Sequence, residues 1–541
     1  MFARRHIRLY FAYSIPYNSL HHLNHRRDTH LMIGVAEIND KDRIILWILG
    51  IAAFAAVIFD FLKLLPLFNA FFIRDDYQFL DLGAFMRQQD PLAFLTATCV
   101  NWWRPIALLI PALVYLVFGL TPLPFHIVAY IIHIFSGLML ILLCRKMFDL
   151  KVGLIAFTIY IASPISFSNV GWMLGAMEDE TATFFYFIAL LTQIRTKDTD
   201  SKRPYFLPVI MIVLGSFCKI TWLGMIPSLL FMDWANYPNS KLVERTKRFL
   251  PFFIFLLPVA FNIFIAGSYS SNIYLNYNSN FNMRNFIEGA FLSFIPSNVS
   301  YYITNWYQIL IIIPIMFFLL ALGFSKIKRR VVAIGIAYLG MLTILGFSQI
   351  QKDPLGWIMG WRHLTPLVGF AAILIAVTLT GLDGKLHLRY VGWLISIILV
   401  GILIWVGLPM KNDLQEEVQR IAQHYRLMTR SFIVLCRSLP NGTEIVIVGK
   451  KPFPVCLLAD LAGDHRLSML YTKRRNLEFI HNYYLRSKLI ILETKENMGV
   501  ILDGLLLRAD IRLISTDEAG VWVDITEYGK EECERLLKSS P

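Results

Sequence analysis

The chain has 541 residues, 56% of them hydrophobic and 14% aromatic, with a mean hydropathy of +0.55. So much apolar surface excludes an ordinary soluble domain and marks a polytopic membrane protein. The formal charge of +13 is no argument for nucleic acid until the loops are sorted by membrane side.

Residues 1–43 form a basic lead rich in His and Arg, including His21–His22 and His25–Arg26–Arg27, with no apolar run of signal-peptide length. It reads as a basic cytoplasmic arm, a His-rich metal tract or untranslated sequence before a start at Met32; the last is preferred. The six cysteines are scattered, without CxxC or metal-ligand spacing, and none is assigned to a disulfide.

Eleven apolar runs then read as spans, at about 44–62, 122–143, 152–168, 179–194, 205–217, 220–232, 249–267, 307–324, 331–349, 364–382 and 390–409. The stretch 105–119 decides every orientation downstream. Taken as an interfacial helix, it leaves seventeen basic residues in the inner loops, among them Arg145, Lys146, Lys241, Arg245 and the run Lys326–Arg330. The outer loops then keep eight, so the positive-inside rule puts the N-terminus in the cytoplasm and the C-terminus outside. Residues 410–541 are charged, with β-like runs at Glu444–Val448, Lys488–Leu492, Ile511–Ile514 and Val521–Ile525 around helical stretches such as Gln415–Leu435. They read as a small extracytoplasmic α/β domain, with no glycine-rich phosphate loop.

The outer side collects the chemistry. Arg74, Asp75 and Asp76 follow the first span, where charge next to hydrocarbon is costly. Asp75 or Asp76 could cap the short helix that Tyr77, Leu80 and Ala84 indicate, or serve as a general base. Arg104 follows Trp102–Trp103, which suit an aromatic belt, and could itself snorkel to headgroups. Glu178–Asp179–Glu180 opens a span and suits the helix dipole equally well. Lys219 sits in an apolar hairpin with nothing beside it in sequence to neutralise it. Arg362 and His363 stand in the last outer loop, at the entrance of the span 364–382, while His126 and His133 read as packing residues. Carboxylates suit a base, and Lys and Arg suit a phosphate. A phosphate held between apolar spans implies a lipid-linked one.

Several short motifs in a fixed order carry a family resemblance. They are Arg74–Asp75–Asp76, Trp103–Arg104–Pro105–Ile106, Pro124–Phe125–His126 to His133, Arg145–Lys146, Cys218–Lys219–Ile220–Thr221 and Arg362–His363–Leu364. Over about 44–409 the chain resembles the C-type (GT-C) polytopic glycosyltransferases that use polyprenyl-phosphate sugars. The nearest likeness is to the protein mannosyltransferase and aminoarabinose-transferase-like group.

The resemblance implies a GT-C-like transmembrane domain over 44–409 with about eleven spans plus interfacial helices. It further implies a hexosyl- or pentosyltransferase in a bacterial inner membrane. Asp75 or Asp76 then matches the base, and Arg104 and Arg362 the donor-phosphate contacts. Glu178 or Asp179 matches a second acidic position, with Lys219 and His363 also binding substrate. Partners would be the lipid-linked donor, a glycan, lipid or protein acceptor, and membrane lipid, with no nucleic acid. The family often has a divalent metal nearby, but Trp103 stands where some members carry Glu, which weighs against one. The rival readings are a lipid-linked glycan polymerase or ligase, disfavoured by the acidic pair, and a transporter or flippase, disfavoured by the lack of an internal repeat.

Overall fold

The computed structural model describes residues 40–73, 76–88, 91–92, 95, 98–99, 102–172, 176–195, 206–219, 225–237, 239–250, 254, 282–295, 310–347, 364–385, 389–440 and five C-terminal strands. Residues 1–45 and 46–541 form two compact units, and of the first only the start of helix α1 is described.

Helix α1 (Asp40–Leu64) passes through a 3-10 turn, Leu65–Asn69, into α2 (Asp76–Gln88). A two-residue hairpin, β1 (Thr98–Cys99) on β2 (Trp102–Trp103), leads to α3 (Pro105–Phe118). Pro105 suits a helix start, where its missing N–H costs nothing. Helices α4 (Pro122–Met147) and α5 (Leu150–Ala162) follow, the second capped by Asp149, whose side chain accepts from Val152 N–H at 2.8 Å. Their close approach needs Gly137, where a Cβ would come within 2.7 Å of the Phe157 ring.

The run 152–168, expected as one span, is two helices. Helix α6 (Pro164–Gly171) bends 53° from α5, because Pro164 cannot continue the hydrogen-bond ladder and Ser163 caps the new start. A π-type turn, Ala176–Glu180, opens α7 (Thr181–Arg195). The shorter α8 (Phe206–Ser216), α9 (Met225–Asn236) and α10 (Leu242–Phe249) come next. Helix α11 (Met283–Phe294) lies inside what reads as a solvated Asn-rich loop, yet Ala290, Phe291 and Leu292 are buried. It packs on α13 (Lys328–Phe347), where Tyr338 Oη donates to the Ala290 carbonyl at 2.9 Å.

Helices α12 (Ile312–Phe324) and α14 (Thr365–Lys385) complete the bundle. The apolar part of α14 is 83% buried, against 22% for α1, so α14 is central and α1 peripheral. Among the described residues four helices are long and apolar enough to cross a membrane, or five if the bent α5–α6 pair counts as one. The run expected at 249–267 lies almost wholly outside the described residues.

The last helix, α15 (Arg389–Ser438), runs 50 residues without a break, so residue 410 falls in its middle. Beyond the membrane-like portion, Leu414, Val418, Ile421 and Ala422 join a buried cluster with Leu64, Leu67, Ile73, Phe167, Val170 and Trp172. The long helix therefore braces the segments on either side of α2 and α6 that lead to the acidic residues. Strands follow at β3 (Glu444–Val448), β4 (Arg466–Tyr471), β5 (Lys488–Ile491), β6 (Ile511–Thr516) and β7 (Trp522–Asp524). They form one sheet in the order β5-β4-β3-β6-β7, parallel except for the antiparallel edge strand β7.

Candidate active site

The acidic run Glu178–Asp179–Glu180 occupies the π-type turn that opens α7. In such a turn the bonding pattern widens from i→i+4 to i→i+5, and side chains leave in directions a regular helix would not give. Three successive carboxylates thereby reach three different partners. Glu178 Oε2 accepts from Arg104 Nη1 at 2.6 Å. Asp179 Oδ1 accepts from the Lys219 ammonium. Glu180 is fully buried, with Oε1 at 3.0 Å from His133 Nδ1 and Oε2 accepting from Tyr160 Oη at 2.6 Å.

Arg104 reaches this turn because the β1–β2 hairpin delivers it to the start of α3, where its carbonyl accepts from Leu108 N–H at 3.0 Å. Lys219 reaches it from the connection after α8, where its own N–H bonds the Gly215 carbonyl at 3.0 Å. Both ion pairs are almost dry, with side-chain exposures of 11% and 6% for Arg104 and Glu178, and 3% and 2% for Lys219 and Asp179. Buried charges persist only when paired and bonded in this way. Lys219, unpartnered to a reader of the sequence, thus has its countercharge 40 residues upstream.

Asp76 sits at the start of α2 and is buried. Its Oδ2 accepts from Ile73 N–H at 2.8 Å, closing the turn that leads into α2, and its Oδ1 accepts from Trp172 Nε1 at 2.9 Å. Both oxygens are thus held by N–H donors, and the second bond ties the start of α2 to the end of α6. Asp75, Arg362 and His363 lie outside the described residues. Cys218, beside Lys219, has its thiol pushed well above the ordinary range by burial and by the Glu178 carboxylate. Among the described residues no three His, Cys, Asp or Glu side chains gather as a metal would need.

The architecture matches solved membrane proteins. ArnT from Cupriavidus metallidurans in the apo state superposes with a TM-score of 0.53 at 10% identity, over 88% of this chain and 93% of ArnT. ArnT bound to undecaprenyl phosphate gives 0.51, also at 10% identity, over 93% of this chain and 95% of that one. The chain has the C-type glycosyltransferase fold. In sequence, human protein O-mannosyl-transferase TMTC3 is 27% identical over 120 residues and the mouse protein 26% over 120. That stretch is 22% of this chain and 13% of either relative's length. No family model matches the chain.

Within this C-type fold, two polar clusters escape a reading of the sequence. His133 is a bonded partner of Glu180 and stacks on Tyr160 with ring centroids 5.3 Å apart, whereas its spacing from His126 on α4 points only to packing. His126 is in fact buried, with Nε2 3.4 Å from the Ala70 carbonyl oxygen. The second cluster is Asp60 with Lys411, an ion pair buried between α1 and α15. Asp60 near the end of an apolar span was the available signal, since an ionisable residue there needs a partner.

Proposed function

We propose that this protein is an integral membrane glycosyltransferase that moves one sugar from a polyprenyl phosphate to an acceptor at the extracytoplasmic face. The observation that carries the reading is the pairing of Arg104 and Lys219 with adjacent carboxylates, in a fold shared with a protein solved bound to undecaprenyl phosphate. A guanidinium and an ammonium within one dry site are the groups a lipid-linked phosphate requires. The acidic turn supplies the countercharges that the arriving donor phosphate displaces.

In this reading Arg104 and Lys219 take the donor phosphate, with Arg362 and His363 completing its contacts. Glu178 and Asp179 face the sugar side. Asp75 is the base, while its neighbour Asp76 fixes the loop. The acceptor oxygen or nitrogen attacks the anomeric carbon, its proton passes to the Asp75 carboxylate, and the bond from that carbon to the phosphate oxygen breaks. Polyprenyl phosphate leaves with the electron pair. A single displacement of this kind inverts the anomeric centre.

The reading includes eleven spans in a bacterial inner membrane, a cytoplasmic N-terminus and an outward α/β domain built on the C-terminal strands. Reporter fusions at residues 327 and 420 are expected on opposite sides. The functional test is transfer from polyprenyl-phosphate sugars by the purified protein. Transfer with release of polyprenyl phosphate is expected; neither transfer nor binding of undecaprenyl phosphate would overturn the proposal.

A further inference from the structure

Apart from Arg245, the described side chains of helix α10 (Leu242–Phe249) are exposed. Leu242 is 79% exposed and Val243 65%, and Leu250 just past the helix is exposed too. On a helical period these three share one side with the exposed Thr246, while Lys241 and Glu244 point away from it and Lys247 stands at its border, all three also exposed. The stretch Lys241–Arg248 carries four basic residues against the single Glu244. Arg245 does not belong to the free surface. Its Nε donates to Ser240 Oγ at 3.0 Å and its Nη2 to the Tyr237 carbonyl at 3.1 Å, folding α10 back on the turn that follows α9.

That turn lies on a basic face. The Arg329 guanidinium stands 5.8 Å from the centroid of the Trp234 ring, joining the end of α9 to the start of α13. Arg330 Nη1 donates to the Lys146 carbonyl at 3.1 Å, joining α13 to the end of α4. Lys326, Lys328 and Arg145 therefore share one end of the bundle with α10. A short helix with an apolar stripe, cationic flanks and little net hydrophobicity is built to lie in a headgroup layer.

We infer that α10 is an in-plane helix docked on anionic phospholipid. Leu242, Val243 and Leu250 sink into the acyl boundary, while Lys241 and Lys247 meet the headgroup phosphates. Charge complementarity selects this occupant, since anionic lipid attracts basic segments within a Debye length. A protein partner would have to cover the apolar stripe and the Lys241 and Lys247 ammoniums, which Glu244 offsets only in part.

Deuterium exchange of the 243–250 amides in the full-length protein tests the inference, in nanodiscs of phosphatidylcholine alone and with added phosphatidylglycerol. Exchange is expected to be roughly tenfold slower in the anionic discs, in keeping with two cations at a charged surface. Lys241→Glu with Lys247→Glu should remove the difference, leaving exchange in α14 unchanged as the sign of an intact fold. Should that variant not fold, molar salt on the wild type is expected to erase the difference instead. Equal exchange in the two lipids, whether fast or slow, would overturn the inference.

Discussion

Arg104 and Glu178 stand 74 positions apart and meet at 2.6 Å, nearly dry, where the proposed donor phosphate needs the same cation. Carboxylate and phosphate then compete for one guanidinium. Arg104→Ala should weaken undecaprenyl phosphate binding by roughly ten- to a hundredfold, the worth of a charged hydrogen bond, with Lys compensating in part. Glu178→Gln should tighten it a few-fold by removing the competitor. Titration of the lipid phosphate into each purified variant measures both. Weaker binding to the Gln variant would make Glu178 a positioning group rather than a competitor.

Asp179 and Lys219 are buried too deeply for either to stand alone. Lys219→Ala or Asp179→Ala is expected to cost about 3–5 kcal/mol by stranding a charge. The double change Lys219→Met with Asp179→Leu should recover most of that loss, because both charges leave together. Thermal unfolding in detergent follows the cycle. Additive losses in the double variant would show that the two side chains are not coupled.

The acidic pair is separable by substitution. Asp76→Asn places an amide where two N–H donors converge, so one donor loses its acceptor at a cost of about 1–3 kcal/mol. Asp75→Asn should leave stability intact and lower transfer by on the order of 10²–10⁴, as loss of a general base does. Turnover and melting temperature of both variants separate the roles. An active Asp75→Asn protein would remove Asp75 as the base.

Lys411 and Asp60 join the first helix to the last, with the ammonium 4.9 Å from the centroid of the Phe167 ring. Among the described residues Asp60 Oδ2 has no hydrogen-bond partner, so the pair depends on its single contact. Lys411→Ala should destabilise the protein by about 3–5 kcal/mol. Chemical denaturation monitors the loss, and a change within experimental error would mean that water reaches Asp60.

Hydropathy and the basic loops make most helices legible because each rests on a local pattern. The break at Ser163–Pro164 is local as well, yet a window of apolar residues smooths over it. Helix α11 is hidden because Asn and Ser around it read as loop, while its buried face depends on Tyr338 far along the chain. Strand β4 was missed for a similar reason: Arg466 and Ser468 interrupt its apolar run, and pairing on both sides supplies what the pattern lacks.

The candidate site shows the same divide. Arg104, Glu178, Asp179 and Lys219 are visible singly as charges near spans, and they do converge. Which carboxylate meets which cation is set by the π-type turn, and no residue spacing announces that turn. Glu180 illustrates the difficulty, since it resembles its two neighbours in every chemical respect. It nonetheless turns inward to a histidine and a tyrosine.

The unbroken course of α15 changes what can be removed from this protein. A chain cut at residue 410 would lose Leu414, Val418 and Ile421, which pack with Ile73 and Trp172. Trp172 is also the donor that steadies Asp76, so amputating the tail would loosen the start of α2 from behind. The C-terminal segment cannot be trimmed away as an appendage. The stretch Leu414–Ala422 is part of the buried foundation of the segments around Asp76, and a minimal folded fragment has to extend through Ala422.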